Sequence, residues 1–348
     1  MNTFTLNPSQ TKVWLSQTQW SESPLQNNTY AFFLGTEIET TRFLQAHDTL
    51  VESSESLRCR LKITNRQVAQ TYSEDFQQAC EVHDLSHLSS SLLTIWLDEF
   101  ATTLLNLQKT TWRAALIKTS SQEWIWVILQ HHLASDRWSF QLYLELLDKI
   151  YNQTNPSRLN TPLFTKTLSQ NQESSTEIDT APPALPNRFY AGHTSPNSPL
   201  GSRLSIATKD WHPHLQHLQS DDQFVAFSRE LTTLQLLATS LFALLYRLHN
   251  RDQITIAVVF QNRRSKEEKQ TSGMLVELRP LSVNISPEDS FLSLYQKTRT
   301  ALLDTISQNA PSLTDSCDTV LNCITGSFGT FRGNPICLLY TSPSPRDS

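Results

Sequence analysis

Residues 123–139 read EWIWVILQHHLASDRWS. After Glu123 the run to Leu129 is continuously apolar, which predicts a central strand covered on both faces. A helix is expected from Trp138 to Tyr151, with Trp138, Leu142, Leu146 and Ile150 on one stripe and Tyr143, Leu147 and Tyr151 on the next. Ser135 or Asp136 can cap its start. The segment HHLASD is therefore the turn between a buried strand and a helix N-terminus, a common place for reactive side chains. Neighbours on an extended segment point to opposite sides, so His131 and His132 cannot both face one cavity, and one of them is structural. Asp136 is favoured by the free amides and dipole of the helix start, and a cation reaching it would make it an anchor for the turn. His132, as a neutral imidazole, is the side chain suited to move a proton near neutral pH. His-His-x-x-x-Asp by itself is weak evidence, because a satisfied structural histidine is the commoner outcome.

Working outward, the first half reads as a strand over Tyr30–Glu39, a helix over Thr41–Ser53, an alternating strand over Leu57–Ile63, a helix over Leu92–Leu107 and a strand over Trp112–Lys118. The second half reads as a helix over Thr232–Asn250, strands over Gln253–Gln261 and Met274–Ile285, a helix over Ser290–Ser307 and a short strand over Thr319–Ile324. Residues 165–203 are rich in Ser, Thr, Pro and Asn and read as a linker. The layout is α/β, with strands and helices mixed within each half.

Composition narrows the function. The 348 residues carry 28 Lys and Arg against 33 Asp and Glu, so there is no basic surplus for a nucleic-acid backbone. Only 7 glycines occur, and neither GxGxxG nor GxxxxGK[ST] is present, so a nucleotide-binding loop lacks support. The five cysteines (Cys59, Cys80, Cys317, Cys323, Cys337) show no CxxC and no zinc-finger spacing, which argues against a disulfide framework and a structural metal site. The apolar segment Leu234–Tyr246 is interrupted and too short to span a bilayer, and the stretch MNTFTLNPSQTKVW has no basic region followed by an apolar one. No membrane partner is expected, and the cytosol is the expected compartment.

His131-His132-Leu133-Ala134-Ser135-Asp136-Arg137-Trp138-Ser139 resembles the HHxxxDG signature of the condensation domains of nonribosomal peptide synthetases. Other stretches fall in that family's order. LNPSQTKVW (Leu6–Trp14) looks like its opening motif, and SLRCRL (Ser56–Leu61) looks like the segment with a Leu-Arg pair, here Leu57 and Arg58. Gln261-Asn262-Arg263 follows a long strand as Asn-Arg does in relatives, SGMLVELRPLSVNI (Ser272–Ile285) is similar to a Gly-x-x-Val-Asn-Thr-x-Pro-Leu segment, and TVLN (Thr319–Asn322) to a late strand. Two positions depart: Arg137 replaces the signature glycine, and Glu277-Leu278 stand where Asn-Thr is usual.

The resemblance implies an α/β (α+β) fold of two chloramphenicol-acetyltransferase-like lobes in a V-shaped pseudo-dimer: an N-terminal lobe over 1–164, the linker, and a partial C-terminal lobe over 204–336. It implies an acyltransferase that forms an amide between an acyl or peptidyl thioester donor and an aminoacyl thioester acceptor. No cofactor is bound by the domain itself. The 4′-phosphopantetheine arms belong to donor and acceptor carrier proteins, with adenylation modules adjacent. By the same resemblance His132 is the catalytic residue, as general base or as positioner of the amine. His131, Asp136 and Arg58 support the site, with Asp136 paired to Arg58, and Arg137, Trp138, Ser139 and Asn262 line the substrate channel. Arg137 either narrows that channel or points outward. Rival readings are an HHxxxD O-acyltransferase that forms an ester, and an inactive docking or gating domain. With the motifs starting at Asn7, a free-standing carrier or acyl-CoA donor, as in a starter domain, is a further expectation. The closing CLLYTSPSPRDS (337–348) resembles a translated sequencing adapter, for which no ordered structure is expected. The second lobe is then expected to be unfinished, leaving apolar surface exposed.

Overall fold

A computed structural model describes residues 3–64, 67–74, 78–119, 123–153, 157–173, 233–307, 319–323 and 328–341. In chain order the elements are β1 (Thr3–Phe4), α1 (Pro8–Gln19), β2 (Asn27–Gly35), α2 (Thr40–Ser53), a 3₁₀ turn (Glu55–Arg58), β3 (Cys59–Thr64), β4 (Gln67–Tyr72), β5 (Glu81–Asp84), α3 (Ser90–Ala101), β6 (Trp112–Lys118), β7 (Trp124–His131), α4 (Arg137–Tyr151) and α5 (Phe164–Glu173). Then follow α6 (Thr233–His249), β8 (Gln253–Phe260), one helical turn (Lys266–Lys269), β9 (Glu277–Asn284), α7 (Phe291–Ser307), β10 (Val320–Leu321), β11 (Thr330–Phe331), β12 (Asn334–Pro335) and β13 (Cys337–Thr341). Two compact units result. The first takes in residues 1–180, 261–275 and 326–345, and the second takes in 181–260 and 276–325.

In the first unit a five-stranded sheet runs in the order β13-β2-β7-β6-β5. β7 lies between β2 and β6, antiparallel to both, and its residues 125–131 are all buried. Its alternation splits the core. Trp126 and Ile128 face the cluster built from Phe32, Trp112, Phe43 and Leu50 of α2, and Phe140, Tyr143 and Leu147 of α4. Ile125, Val127 and Leu129 face Leu97 and Phe100 of α3. Burial of side chains this large contributes about 1.5–3 kcal/mol each. A second sheet, β1-β4-β3, lies in the same unit.

In the second unit β8 is flanked by β9, antiparallel, and β10, parallel. Ile254, Ile256 and Val258 pack with Leu281 and Val283, with Ala238, Phe242 and Leu245 of α6, and with Leu294 and Leu302 of α7. Leu244 and Leu248 of α6 and Leu292 and Leu303 of α7 stay exposed.

Several boundaries differ from the sequence expectation. β2 begins at Asn27, earlier than Tyr30, because Asn27 pairs with His131, and it stops at Gly35, where φ is +98°. The helix expected to reach Leu107 ends at Ala101, and the strand expected from Leu57 is a 3₁₀ turn before Cys59, leaving Ile63 exposed. The strand expected from Met274 begins at Glu277, since the preceding residues are held in the first unit. On α4 the expected stripe of Tyr143, Leu147 and Tyr151 is buried, together with Phe140, Leu144 and Ile150, while Trp138, Leu142 and Leu146 of the neighbouring stripe are only partly buried.

The stretch read as a linker from Thr165 opens as α5. Phe164 and Leu168 are buried there, and Glu55 receives both the N–H and the hydroxyl of Thr165 at 2.9 Å. The rest of that stretch, and residues 204–232, lie outside the described residues. Cys337–Thr341, for which no ordered structure is expected from sequence, forms β13 on the open edge of β2. Strand pairing there is made by main-chain groups, so an extended apolar segment can add to the edge whatever its sequence. Residues 342–348 lie outside the described residues.

Candidate functional site

The site begins where β7 ends. His131 is the last residue of the strand, and its N–H donates to the Thr111 carbonyl (2.8 Å). Its ring is buried. Nδ1 accepts from the Leu133 N–H (3.2 Å), which leaves the proton on Nε2, 3.1 Å from Gln17 Oε1. Burial, and secondarily the neighbouring His132, hold its pKa down at about 3, so it stays neutral. His131 is thus buried and engaged at both ring nitrogens.

His132 is half-buried, and its backbone N–H donates to the Gln26 carbonyl at 2.6 Å. Its Nδ1 lies 2.8 Å from the Ser135 carbonyl oxygen. A carbonyl only accepts, so Nδ1 carries the hydrogen in the neutral ring and Nε2 keeps a lone pair. The two histidines therefore hold opposite tautomers, each set by one backbone group of the turn between them.

Asp136 caps α4. Its Oδ1 accepts from the Ser139 N–H and hydroxyl, both at 3.0 Å, and its Oδ2 accepts from the Leu275 N–H at 3.2 Å. Arg263 completes the carboxylate, with Nη1 2.8 Å from Oδ2 and Nη2 3.1 Å from Oδ1. Both side chains are 1 % exposed. This corrects the expected pairing with Arg58. Arg58 is buried elsewhere, reaches Glu74 at 3.9 Å, and has an Nε–H without a partner among the described residues. Burial first, then the nearby Arg158, pull its pKa down.

The remaining expected residues distribute as follows. Ser139 also accepts from the Gly273 N–H (2.9 Å), and Trp138 Nε1 donates to the Lys269 carbonyl (2.8 Å). Asn262 is half-buried with φ +48°, which turns the chain into Arg263. Arg137 does not simply point outward. It is partly buried, with its guanidinium carbon 4.5 Å from the centre of the Phe328 ring. The structure thus gathers Asp136, Ser139, Trp138 and the 261–275 segment, and leaves Arg58 apart. Among the described residues no group of His, Cys, Asp and Glu could hold a metal ion, and no helix is long and apolar enough to cross a membrane.

Sequence reasoning gives Arg263 no role, although Asn262-Arg263 immediately after a long strand is a usable signal. It misses the Ser135 carbonyl altogether, since backbone acceptors leave no trace in residue identity.

A buried strand ending in His-His, a turn that holds opposite tautomers, and an ion-paired aspartate capping the next helix define an HHxxxD acyltransferase-type site. The condensation-domain family matches residues 1–179, and the chain belongs to that family. Among curated relatives, cyclosporin synthetase of Tolypocladium inflatum is 26 % identical over 205 residues, 54 % of this chain and 1 % of that protein. A linear gramicidin synthase of Brevibacillus parabrevis is 21 % identical over 329 residues, 88 % of this chain and 4 % of that protein. The chain spans only 1–6 % of the length of the curated relatives it matches. A mutant starter condensation domain of rhizomide synthetase, in complex with C8-CoA, superimposes with a TM-score of 0.74 at 17 % identity, covering 99 % of this chain and 84 % of that one. The first condensation domain of the calcium-dependent antibiotic synthetase, bound to a substrate analogue, gives 0.67 at 15 % identity, covering 88 % and 74 %.

Proposed function

We propose that this chain catalyses amide formation between a thioester-bound acyl donor and the amine of an aminoacyl thioester, both delivered on the phosphopantetheine arms of carrier proteins. The observation that carries this is the 2.8 Å contact from His132 Nδ1 to the Ser135 carbonyl, which leaves Nε2 free to accept a proton. The amine nitrogen attacks the thioester carbon, the C–N bond forms, and the proton leaving nitrogen passes to Nε2. The C–S bond then breaks, and the proton is returned to the departing thiolate. Transfer of this kind contributes typically 10²–10⁴-fold, and holding two tethered reactants together supplies much of the rest. Asp136 is saturated by Arg263, Ser139 and Leu275, so its part is to hold the turn.

The test is a single-turnover assay with one carrier loaded with acyl thioester and the other with aminoacyl thioester, comparing wild type with His132→Ala. We expect amide product to fall to background in the variant while its far-UV spectrum and melt stay near wild type. Retained turnover in His132→Ala would refute the role. Product formed with a hydroxyl acceptor and not with an amine would reassign the chain to ester formation.

A further inference from the structure

We propose that Gln10, on the first helix, is a positioning residue for His132. It acts through the Leu133 carbonyl and is held in one orientation by Gln70. The inference rests on the reading of His132 as the proton-handling group and adds what sets the direction of its ring.

Gln10 and Gln70 are both fully buried, and their side-chain amides bond reciprocally. Gln10 Nε2 donates to Gln70 Oε1 (2.8 Å) and Gln70 Nε2 donates to Gln10 Oε1 (2.9 Å). Every remaining position on the two amides is used. Gln10 Oε1 also accepts from the Asn7 N–H (3.0 Å), Gln70 Nε2 also donates to the Thr5 carbonyl (2.9 Å), and Gln70 Oε1 also accepts from the Tyr72 hydroxyl (2.8 Å). The last donor of Gln10, on Nε2, goes to the Leu133 carbonyl at 2.9 Å. A flipped Gln10 amide would set oxygen against that carbonyl and N–H against the Asn7 N–H, so the network permits one orientation.

Leu133 follows His132 directly, in a turn of only a few residues. His132 enters it bonded to Gln26, the Leu133 N–H is spent on His131 Nδ1, and the Ala134 N–H is spent on the His131 carbonyl at 2.9 Å. What orients the next part of the turn is the Leu133 carbonyl. Two residues on, Ser135 presents the oxygen that holds His132 Nδ1. Releasing the Leu133 carbonyl lets the peptides between it and Ser135 rotate, which moves the acceptor that keeps the proton on Nδ1.

The experiment compares Gln10→Met, which retains length and loses every polar contact, with wild type and with Leu97→Ala, a core truncation on α3 in the same unit. Long-range ¹H–¹⁵N spectra of histidine-labelled protein report the tautomer, with His132→Gln assigning the signals. We expect wild-type His132 to show a protonated Nδ1 and a bare Nε2, and Gln10→Met to show mixed tautomers, with Leu97→Ala unchanged. In the carrier assay Gln10→Met should lose about 10- to 100-fold in kcat with KM for both loaded carriers unchanged, the scale of a small misplacement of a reacting group. A wild-type tautomer in Gln10→Met, or an equal change in Leu97→Ala, overturns the proposal. Should Gln10→Met not fold, Gln70→Met carries the test, since freeing the Gln10 amide gives the same mixed tautomers and a wild-type spectrum overturns it. The spectra decide the positioning role even if the carrier assay yields no amide, so failure of the condensation reading is seen separately.

Discussion

Arg263 and Asp136, 127 residues apart in sequence, meet in a two-pronged ion pair from which solvent is excluded. The geometry matches the fork of a guanidinium to the two oxygens of a carboxylate. Its neighbours are also held: Arg263 Nη2 donates to the Thr271 and Gly273 carbonyls at 3.3 and 3.1 Å. The pair therefore fastens the 261–275 segment to the start of the helix that follows the histidines.

Removing one partner leaves a buried charge uncompensated, which costs about 3–5 kcal/mol. We expect Arg263→Ala and Asp136→Ala each to lose stability on that scale in denaturant melts, and the double variant to lose much less than the sum. Arg58→Ala should lose less than Arg263→Ala. A larger loss for Arg58→Ala would return the pairing to Arg58.

Gly273 lies against Phe164 so closely that an added Cβ would stand 2.3 Å from the ring carbon Cδ2, and its φ of +148° is one that side chains avoid. Gly273→Ala should therefore destabilise the protein by about 1–3 kcal/mol, as overpacking does. Shortening the ring in Phe164→Leu should recover part of that loss in the double variant. A melt of Gly273→Ala at the wild-type temperature would show that the segment can shift freely.

His47 is buried among Phe43, Trp112 and Trp126, and neither ring nitrogen has a hydrogen-bond partner among the described residues. Burial depresses its pKa to about 3, as it does for His131. In the unfolded chain both rings take up protons below about pH 6.5 while the folded chain leaves them neutral. Stability should thus be fullest above pH 6.5 and fall as the pH drops toward 3, by up to about 1.4 kcal/mol per pH unit for each ring. His47→Leu should flatten that fall, so that urea melts show a larger gain at pH 5 than at pH 8. An equal effect at both values would remove the protonation account.

The guanidinium of Arg137 lies over Phe328, whose ring also meets Tyr30 and Phe32 edge-on. A cation held on a ring in this way contributes about 0.5–2 kcal/mol. Arg137→Ala and Phe328→Leu should each lower the melting temperature, and their combination should cost less than their sum. Strict additivity would mean that the two side chains do not support each other.

Much of the site was legible because it is local. An unbroken run of apolar and β-branched residues, two histidines, and an aspartate three residues before a serine specify a buried strand, a turn and a capped helix within 30 residues, and the cap itself, Ser139 on Asp136, is a local hydrogen bond. That His131 and His132 face opposite ways follows from the same alternation. What the sequence could not determine was the counter-ion of Asp136. Arg58 and Arg263 are equal by charge and by motif, and the choice fell to Arg263 because the 261–275 segment packs against α4 while Arg58 turns toward Glu74. On α4 the stripe of Tyr143, Leu147 and Tyr151 was legible from periodicity, whereas Trp138 and Leu142 beside it stay only partly buried, since the sheet sets which edge of an apolar face it covers. Nor did anything in residues 337–341 announce a strand, because their place on β2 is made by main-chain groups alone. Short-range hydrogen bonding and periodicity are written in the order of residues. Which of two equivalent partners is reached, and which edge is covered, only tertiary packing decides.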